Sequence, residues 1–525
     1  MKFFNTAGPV NCEDHYCLPP LERFDLDELL HLIDNKKYFV LHAPRQTGKT
    51  SCLLALMKYL NEKEKYKSLY FNVETAQAAR EDVENGMKSI LGEIALRAKT
   101  FLKDSFLFDT WNMLLEQWGG HNALNTALSL WADESEKPLV LLIDEIDSLV
   151  GDTLISVLRQ LRSGYDKRPL NFPQSIILCG VRDVRDYRIH SEMEKKVITG
   201  GSAFNIKAKS LRLGDFTEEE MRTLLQSHTE ETGQLFKKET IKAVWELSEG
   251  QPWLVNALAY EVCHEMKANR DAMVEITPEM VYQAGENLIL RRETHIDQLA
   301  DKLKEKRVQK VIAPILSGLE APEDISPDDL MYVTDLGLIK KDKKIRIANR
   351  LYQEVIPREL TFSTQLTISQ ETEWYIKPDG KLDIDKLMAA FQEFFREHSE
   401  HWVERFQYKE AGPQLLLQAF LQRIVNSGGR VEREYGLGMK RTDLLLIWRH
   451  GKGVQKVVIE LKILYKSLKK TVEEGLEQTW GYMDKCGTRE GHLVIFDRNQ
   501  TSSWDEKIFK KSYNLKNMEI IVWGM

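Results

Sequence analysis

The 525-residue chain has little cysteine (six residues) and little proline (fifteen). It also has no apolar run approaching the ~18 residues that read as a membrane-spanning helix. Six cysteines over this length exclude a disulfide framework. Cys12, His15 and Cys17 lie close together, but no second ligand cluster completes a zinc site, so ordinary thiols are expected there. The opening stretch MKFFNTAGPVNCEDHYC lacks both an extended apolar segment and a small-residue cleavage site. The expectation is a cytoplasmic protein with no membrane partner. An excess of charge is missing too: 73 basic and 80 acidic residues leave a net of −7. That excludes a chain-wide polycationic coat for nucleic acid but not a local basic patch. No internal repeat or low-complexity tract is found. What remains is ordinary globular usage, 42% hydrophobic and 29% charged, long enough for roughly three to five domains.

The apolar pattern is organised. Residues 38–42, 68–73, 139–143 and 175–179 read as short buried strands, and 50–60, 81–100, 124–132 and 153–162 as helices between them. Alternation of this kind predicts an α/β fold with a parallel sheet covered on both faces. After residue 214 the pattern turns helical. Thr217 with Glu220 forms a capping box and Thr277-Pro278 opens a later helix; helices over 221–232, 238–248, 253–268 and 277–291 make a small lid. Residues 299–361 give helices followed by two short strands, the order of a winged helix. Lys340, Lys341, Lys343, Lys344 and Arg346 lie on its wing, as a solvated turn or a nucleic-acid contact. An amphipathic helix over 384–401 carries an aromatic face read as core. A second α/β pattern then begins: helix 413–426, strands 430–435, 443–448 and 456–461, helix 472–483 and strand 491–496. The implied domains are 1–214, 215–298, 299–365, a connector 366–408, and 409–525.

Residues 43–50 read Ala43-Pro44-Arg45-Gln46-Thr47-Gly48-Lys49-Thr50, between a strand and a helix. Backbone N–H groups of such a loop can wrap a diphosphate at a helix N-terminus. Lys49 would reach the β- and γ-phosphates of ATP, and the Thr50 hydroxyl would hold Mg²⁺. Ala43 stands where the P-loop pattern has its first glycine, so an altered loop entrance is expected. About 95 residues on, the run over 139–143 ends in Asp144-Glu145 at the carboxyl end of a buried strand. Asp144 would complete the Mg²⁺ shell, and Glu145 would polarise the attacking water.

The stretch APRQTGKT, the run LVLLIDEID and Gly250-Gln251-Pro252 ahead of a helix together resemble the AAA+/STAND-like P-loop ATPases of bacteria and archaea, over about residues 1–360. The resemblance implies strand order 5-1-4-3-2 and places Gly250 and Pro252 in a lid motif near the nucleotide. It also implies a sensor or finger arginine after the fourth strand, Arg182 or Arg185, acting within the chain or in a homo-oligomer. A plain salt bridge is the alternative for either.

A second constellation lies in RTDLLLIWRHGKGVQKVVIELK. Asp443 begins one strand, and Glu460 and Lys462 end the next, on one face by period-two geometry. Two carboxylates and a lysine at one sheet end suit Mg²⁺- or Mn²⁺-dependent phosphodiester hydrolysis, the carboxylates holding the metal and the lysine orienting water. The pattern resembles the PD-(D/E)XK nuclease superfamily over about residues 409–525, with Gln478 and Tyr482 matching its helical Q-x3-Y feature. Glu410, or alternatively Glu432 or Glu434, would supply its further acidic residue. Residues 409–525 hold 20 Lys and Arg against 14 Asp and Glu, a basic excess on the domain that would approach nucleic acid, DNA above all. The combined expectation is an ATPase that couples nucleotide state to nucleic-acid cleavage, in defence or mobile-element biology by analogy. The alternative is a signalling switch with a catalytically silent C-terminal domain.

Overall fold

The computed structural model describes the backbone of residues 2–191, 196–316, 325–342, 345–360, 375–405, 416–418, 420–421, 429–437, 440–451, 453–464, 467–497, 499 and 502–525. Glu410, Lys343, Lys344 and most of the expected helix 413–426 fall outside these residues, as do the side chains of Arg185, Glu432, Glu434 and Asp443. Two compact units result. The first comprises 1–295, 330–340 and 348–350, and the second 296–329, 341–347 and 351–525. Among the described residues no helix is long and apolar enough to cross a membrane.

In the first unit, α1 (Leu26–Asp34) leads into β1 (Tyr38–His42), α2 (Lys49–Glu62) and β2 (Lys67–Asn72). Next come α3 (Val83–Arg97), α4 (Phe106–Trp118), α5 (Ala123–Asp133), β3 (Leu139–Asp144), α6 (Gly151–Ser163) and β4 (Ser175–Gly180). A hairpin of β5 (Arg188–Ser191) and β6 (Lys196–Thr199), a one-turn helix α7 (Gly200–Ala203) and β7 (Lys207–Arg212) complete the core. The sheet is parallel throughout, in the order β2-β3-β4-β1-β7. Taking β7 as the fifth strand, this is the 5-1-4-3-2 order that the resemblance implies.

Period-two alternation explains how both faces are covered. Tyr38, Val40, Leu69, Phe71, Leu141, Ile176 and Leu178 pack on one side with α3 to α6. Phe39, Leu41, Tyr70, Val140, Leu142 and Ile177 pack on the other with α1 and α2. Strand β7 (KAKSLR) has no place in the hydrophobic pattern because it is an edge strand with half-exposed, charged positions, whose one strand partner is β1 and whose Lys207 and Ser210 side chains bond Asp183. Helix α4 fully buries only Leu107, Leu114 and Leu115, with Phe106 and Trp111 packed partly buried against the same core.

The lid helices are α8 (Glu218–Thr232), α9 (Lys238–Ser248), α10 (Pro252–Tyr260) and α11 (Pro278–Leu290). The expected capping box is formed by Thr217 and Glu220, and Thr277 caps α11 ahead of Pro278. The single helix expected over 253–268 is instead α10 followed by a wider π segment, Glu261–Glu265. The Met266 N–H bonds back to the Glu261 carbonyl, and Asn269 Nδ2 takes the Val262 carbonyl at 2.9 Å, the acceptor that a continuing α-helix would use. The Cys12 and Cys17 thiols expected from the sequence are also corrected: the two residues form a disulfide. Residues near an exposed turn can meet across five positions whatever the total cysteine count.

Further along lie α12 (Thr294–Leu303), α13 (Lys306–Leu316), α14 (Pro327–Asp335), the short strands β8 (Ile339–Lys341) and β9 (Ile345–Ile347), and α15 (Arg350–Leu360). In the second unit, helix α16 (Ile384–Arg405) precedes β10 (Gly429–Leu437), β11 (Lys440–His450), β12 (Gly453–Ile463), α17 (Leu468–Cys486) and β13 (Glu490–Phe496). A one-turn helix α18 (Trp504–Lys507), β14 (Phe509–Leu515) and β15 (Met518–Gly524) end the chain. These strands form a mixed sheet in the order β10-β11-β12-β13-β15-β14. The aromatic face of α16 is core: Phe391 packs on Phe420, Phe395 packs on Phe496, and Gln392 donates to the Gly524 carbonyl at 2.8 Å.

Gly250, between α9 and α10, has φ +79°, and a Cβ there would overlap the Phe216 carbonyl. Gly233 has a similar φ of +80° with nothing near its missing Cβ. Gly233→Ala should therefore cost only the left-handed backbone penalty, ~1 kcal/mol, and Gly250→Ala at least about twice that, because its Cβ must also displace backbone. Denaturant unfolding of the two variants tests this; equal losses would contradict it.

Candidate functional site

The phosphate-type loop is built at the carboxyl end of β1. The Ala43 N–H donates to the Gly180 carbonyl at 3.2 Å, fastening the loop entrance to β4. Thr47 Oγ1 closes a turn on the Pro44 carbonyl at 2.8 Å. The left-handed positions are Gln46 (φ 57°) and Gly48 (φ 94°), and Ala43 is not one of them. The missing first glycine therefore imposes no backbone strain, contrary to the altered entrance expected from the sequence. Gly48 caps α2 without a side chain over the helix N-terminus, leaving its first N–H groups open to an anion. The Lys49 side chain is buried, and its ammonium donates to the Ala43 and Pro44 carbonyls at 3.0 and 2.9 Å.

Strand β3 brings the acidic pair to the same sheet edge. Asp144 is fully buried, and its carboxylate accepts from Thr50 Oγ1 at 2.7 Å, from the Tyr70 hydroxyl at 3.0 Å and from the Glu145 N–H at 3.0 Å. Glu145 follows in a left-handed conformation, φ 56°, which turns the chain out of the strand. Burial, then the charges of Asp147 and Asp144, raise its carboxyl above the ordinary range against the opposing pull of Lys49 and Arg45. Cys179, near the end of β4, is fully buried, and burial pushes its thiol up.

Pro252 opens α10, and the side chain of Gln251 caps it on the Leu254 N–H. Pro252, Trp253 and Asn256 wall a cavity of about 130 Å³ that Thr47, Gly48 and Ser51 bound from the loop side. Sequence reasoning missed two contributors. Arg23 donates to the Thr47 carbonyl at 3.3 Å and the Gly214 carbonyl at 2.6 Å, with its guanidinium 4.5 Å from the centre of the Phe216 ring. His295 contacts Gln46 of the loop and stacks on Trp253 at 4.7 Å, and burial lowers its pKa to about 4. Neither carries a local motif; Arg23 reaches the loop from 24 residues before Thr47 and His295 from 249 residues after Gln46.

Arg182 is almost buried, 3.8 Å from the Asp335 carboxylate and 4.8 Å from the centre of the Tyr332 ring. It is turned onto α14 of its own chain. Burial raises the Asp335 carboxyl, with Arg212 and Arg182 opposing. Two residues of the expected basic wing are engaged by acids: Lys340 meets Asp215 and Glu249 at 3.2 and 3.5 Å, and Arg346 meets Asp342 at 2.8 Å.

In the second unit, Val458, Leu493 and Ile495 pack beneath α17, so Glu460 and Lys462, two and four residues past Val458, share the α17 face of β12. Glu460 is buried and takes the Lys462 ammonium at 2.7 Å. Asp443 belongs to β11, one residue before Leu444, whose partner Ile459 precedes Glu460. On α17, Tyr482 is buried and Gln478 exposed, so the helix turns them to different surroundings. Among the described residues no group of three or more His, Cys, Asp or Glu gathers to hold a metal.

Comparison with solved structures finds a Walker-type ATPase of Pyrococcus abyssi, 16% identical, covering 67% of this chain and 99% of its own with a TM-score of 0.45. It also finds Cdc6p from Pyrobaculum aerophilum, 15% identical over 66% of this chain and 95% of its own, TM-score 0.36. A structure of Drosophila ORC bound to DNA is 10% identical over 73% of this chain and 80% of its own, TM-score 0.35. Comparison with curated proteins returns no match. The AAA-like domain matches residues 28–357, which contain the loop, the acidic pair and the lid described above, and the chain belongs to that family.

Proposed function

We propose that the first unit binds and hydrolyses ATP with Mg²⁺. The observation that carries this reading is the hydrogen bond between Thr50 and Asp144, which joins the loop after β1 to the end of β3. The donor set suits a hard cation: a hydroxyl and a carboxylate at hydrogen-bond distance, both anchored by secondary structure. Thr50 and Asp144 would hold Mg²⁺, which when bound neutralises phosphate charge. The α2 N–H groups and Lys49 bind and orient the phosphates. Glu145, whose carboxyl lies at the same edge, accepts a proton from the attacking water. The domain limits given from the sequence, the winged-helix reading of 299–365 and a homo-oligomeric assembly belong to the same proposal; the placement of Arg182 leaves the finger arginine unassigned.

The second unit we read as a metal-dependent nuclease site that nucleotide state controls, with DNA as its substrate class. The pairing of buried Glu460 with half-buried Lys462 and the basic excess of residues 409–525 support this, and Asp443 and Glu460 would hold Mg²⁺ or Mn²⁺. Tyr482 would support the sheet side of the site, with Gln478 at its rim. The exposure of Gln478 and the direct pairing of Lys462 with Glu460 favour the silent-module alternative to the same extent that they depart from an open site. Cleavage of plasmid DNA and of RNA with Mn²⁺, with and without ATP, separates the two. Cleavage lost in Asp443→Asn and in Glu460→Ala is expected, and no cleavage by the wild type under any condition would leave a silent module.

For the ATP site, Lys49→Ala should weaken ATP binding at least ~30-fold, about the worth of one or two charge-assisted hydrogen bonds. Glu145→Gln should retain binding and slow hydrolysis roughly 100-fold or more, as loss of a general base does. Calorimetry and phosphate release measure these, and unchanged affinity in Lys49→Ala would overturn the assignment.

Glu145 also predicts a pH signature. A carboxyl whose folded pKa is raised contributes stability below its unfolded pKa and loses it as pH rises through the folded value. At pH 8 the wild type bears that loss and the Gln variant does not. Glu145→Gln should therefore melt higher than wild type at pH 8, with the difference shrinking toward pH 4. A difference that grows toward acid would contradict the assigned cause.

A further inference from the structure

Residues 2–18 form a strap between the loop helix and the lid. Phe4 and Tyr16 are its buried anchors, packed on each other and, through His228, on α8. The Val10 N–H donates to Ser51 Oγ of α2 at 2.9 Å, and Trp253 Nε1 of α10 donates to the Thr6 carbonyl at 2.9 Å. The strap folds back on itself, with Phe3 N–H on the Asp14 carbonyl and Tyr16 N–H on the Phe3 carbonyl. Thr6 and Val10 line the cavity beside Thr47 and Gly48, and so does Cys17. The Cys12–Cys17 disulfide closes the turn between Val10 and that wall. Cys12 is exposed, Cys17 is half-buried, and both border a groove on the outer side of the strap. Cys52, Cys179, Cys263 and Cys486 are buried and take no part in a disulfide.

We propose that Cys12 and Cys17 are a thiol–disulfide switch on the wall of the nucleotide cavity, taking a low-molecular-mass disulfide such as oxidised glutathione as oxidant. The exposed Cys12 thiolate attacks one sulfur of that disulfide and expels one thiolate, leaving a mixed disulfide. Cys17 then attacks the Cys12 sulfur and expels the second thiolate. The two cysteines lose two electrons and two protons, and the small disulfide becomes two thiols. Closing the turn removes chain freedom from the strap before nucleotide arrives, so binding spends less on ordering the wall. Reduction restores that freedom and weakens binding. The link to nucleotide rests on the ATP reading above; the link to the strap does not.

The test compares full-length protein equilibrated with oxidised glutathione or with dithiothreitol, alongside Cys12→Ser, a variant outside the cavity lining. Mass spectrometry of the oxidised wild type should show a species two hydrogens lighter, and hydrogen exchange at Val10 and Tyr16 should quicken on reduction. ATP affinity by calorimetry should fall ~10-fold on reduction, in keeping with the stabilisation of a short closed loop. Cys12→Ser should match the reduced wild type in both buffers. Equal strap exchange in the two redox states, or a Cys12→Ser variant that still responds to oxidant, overturns the switch. Strap exchange that responds while ATP binds in neither state would leave the switch standing and reject the ATP reading, and equal ATP affinity despite a responsive strap would reject the coupling.

Discussion

The contact between the Thr50 hydroxyl and the Asp144 carboxylate is the constraint on which the first unit's chemistry depends. Strands β1 and β3 are not neighbours; β4 lies between them. The two functional segments therefore meet only if the sheet adopts this strand order and both strands end at one edge, where ligands of open parallel sheets bind. A single hydrogen bond thus reports on the whole topology. It also has a local cost. Asp144 is fully buried, and three donors offset the desolvation of its charge, one of them the N–H of the residue that follows it.

The same economy governs the neighbouring charges. Lys49 is buried with carbonyl oxygens as partners, and burial, then the charges of Asp147 and Asp144, push the Glu145 pKa upward. A buried ammonium hydrogen-bonded to backbone carbonyls and a crowded acidic pair are both poorly balanced as folding elements. They become favourable together when polyphosphate and a divalent cation are present, because the anion suits the lysine and the cation suits the acids. Stability and function are opposed at Glu145 in particular.

How much of this could be read in the sequence follows from how local each signal is. The buried strands are short uninterrupted apolar runs and were legible, as were the loop from Ala43 to Thr50, the Asp144-Glu145 pair and the capped lid helices starting at Thr217 and Thr277. Strand β7 was not, since its charged residues lie at a sheet edge and their partners, Asp183 and Glu28, come from other segments. The departure from helix at Glu261 depends on Asn269 reaching back to a carbonyl, a tertiary choice with no periodic signature. Arg23 reaches the loop from the segment ahead of β1 and His295 from far along the chain, and neither belongs to a motif that could nominate it. Arg182 was nominated by its place after β4, but its partners Tyr332 and Asp335 come from α14, about 150 residues later. In the second unit the strand pattern was legible through β13, whereas β14 and β15 and the exposed setting of Gln478 were not.

The central claim is that Thr50 and Asp144 form the divalent-cation end of an ATP site. The most direct measurement is the Mg²⁺ dependence of ATP affinity, by calorimetry, in wild type and in Thr50→Val, which keeps the side-chain shape and removes the hydroxyl. The account predicts that Mg²⁺ tightens ATP binding to the wild type and that this gain is largely lost in Thr50→Val, while affinity without Mg²⁺ changes little. An undiminished Mg²⁺ effect in Thr50→Val would contradict it.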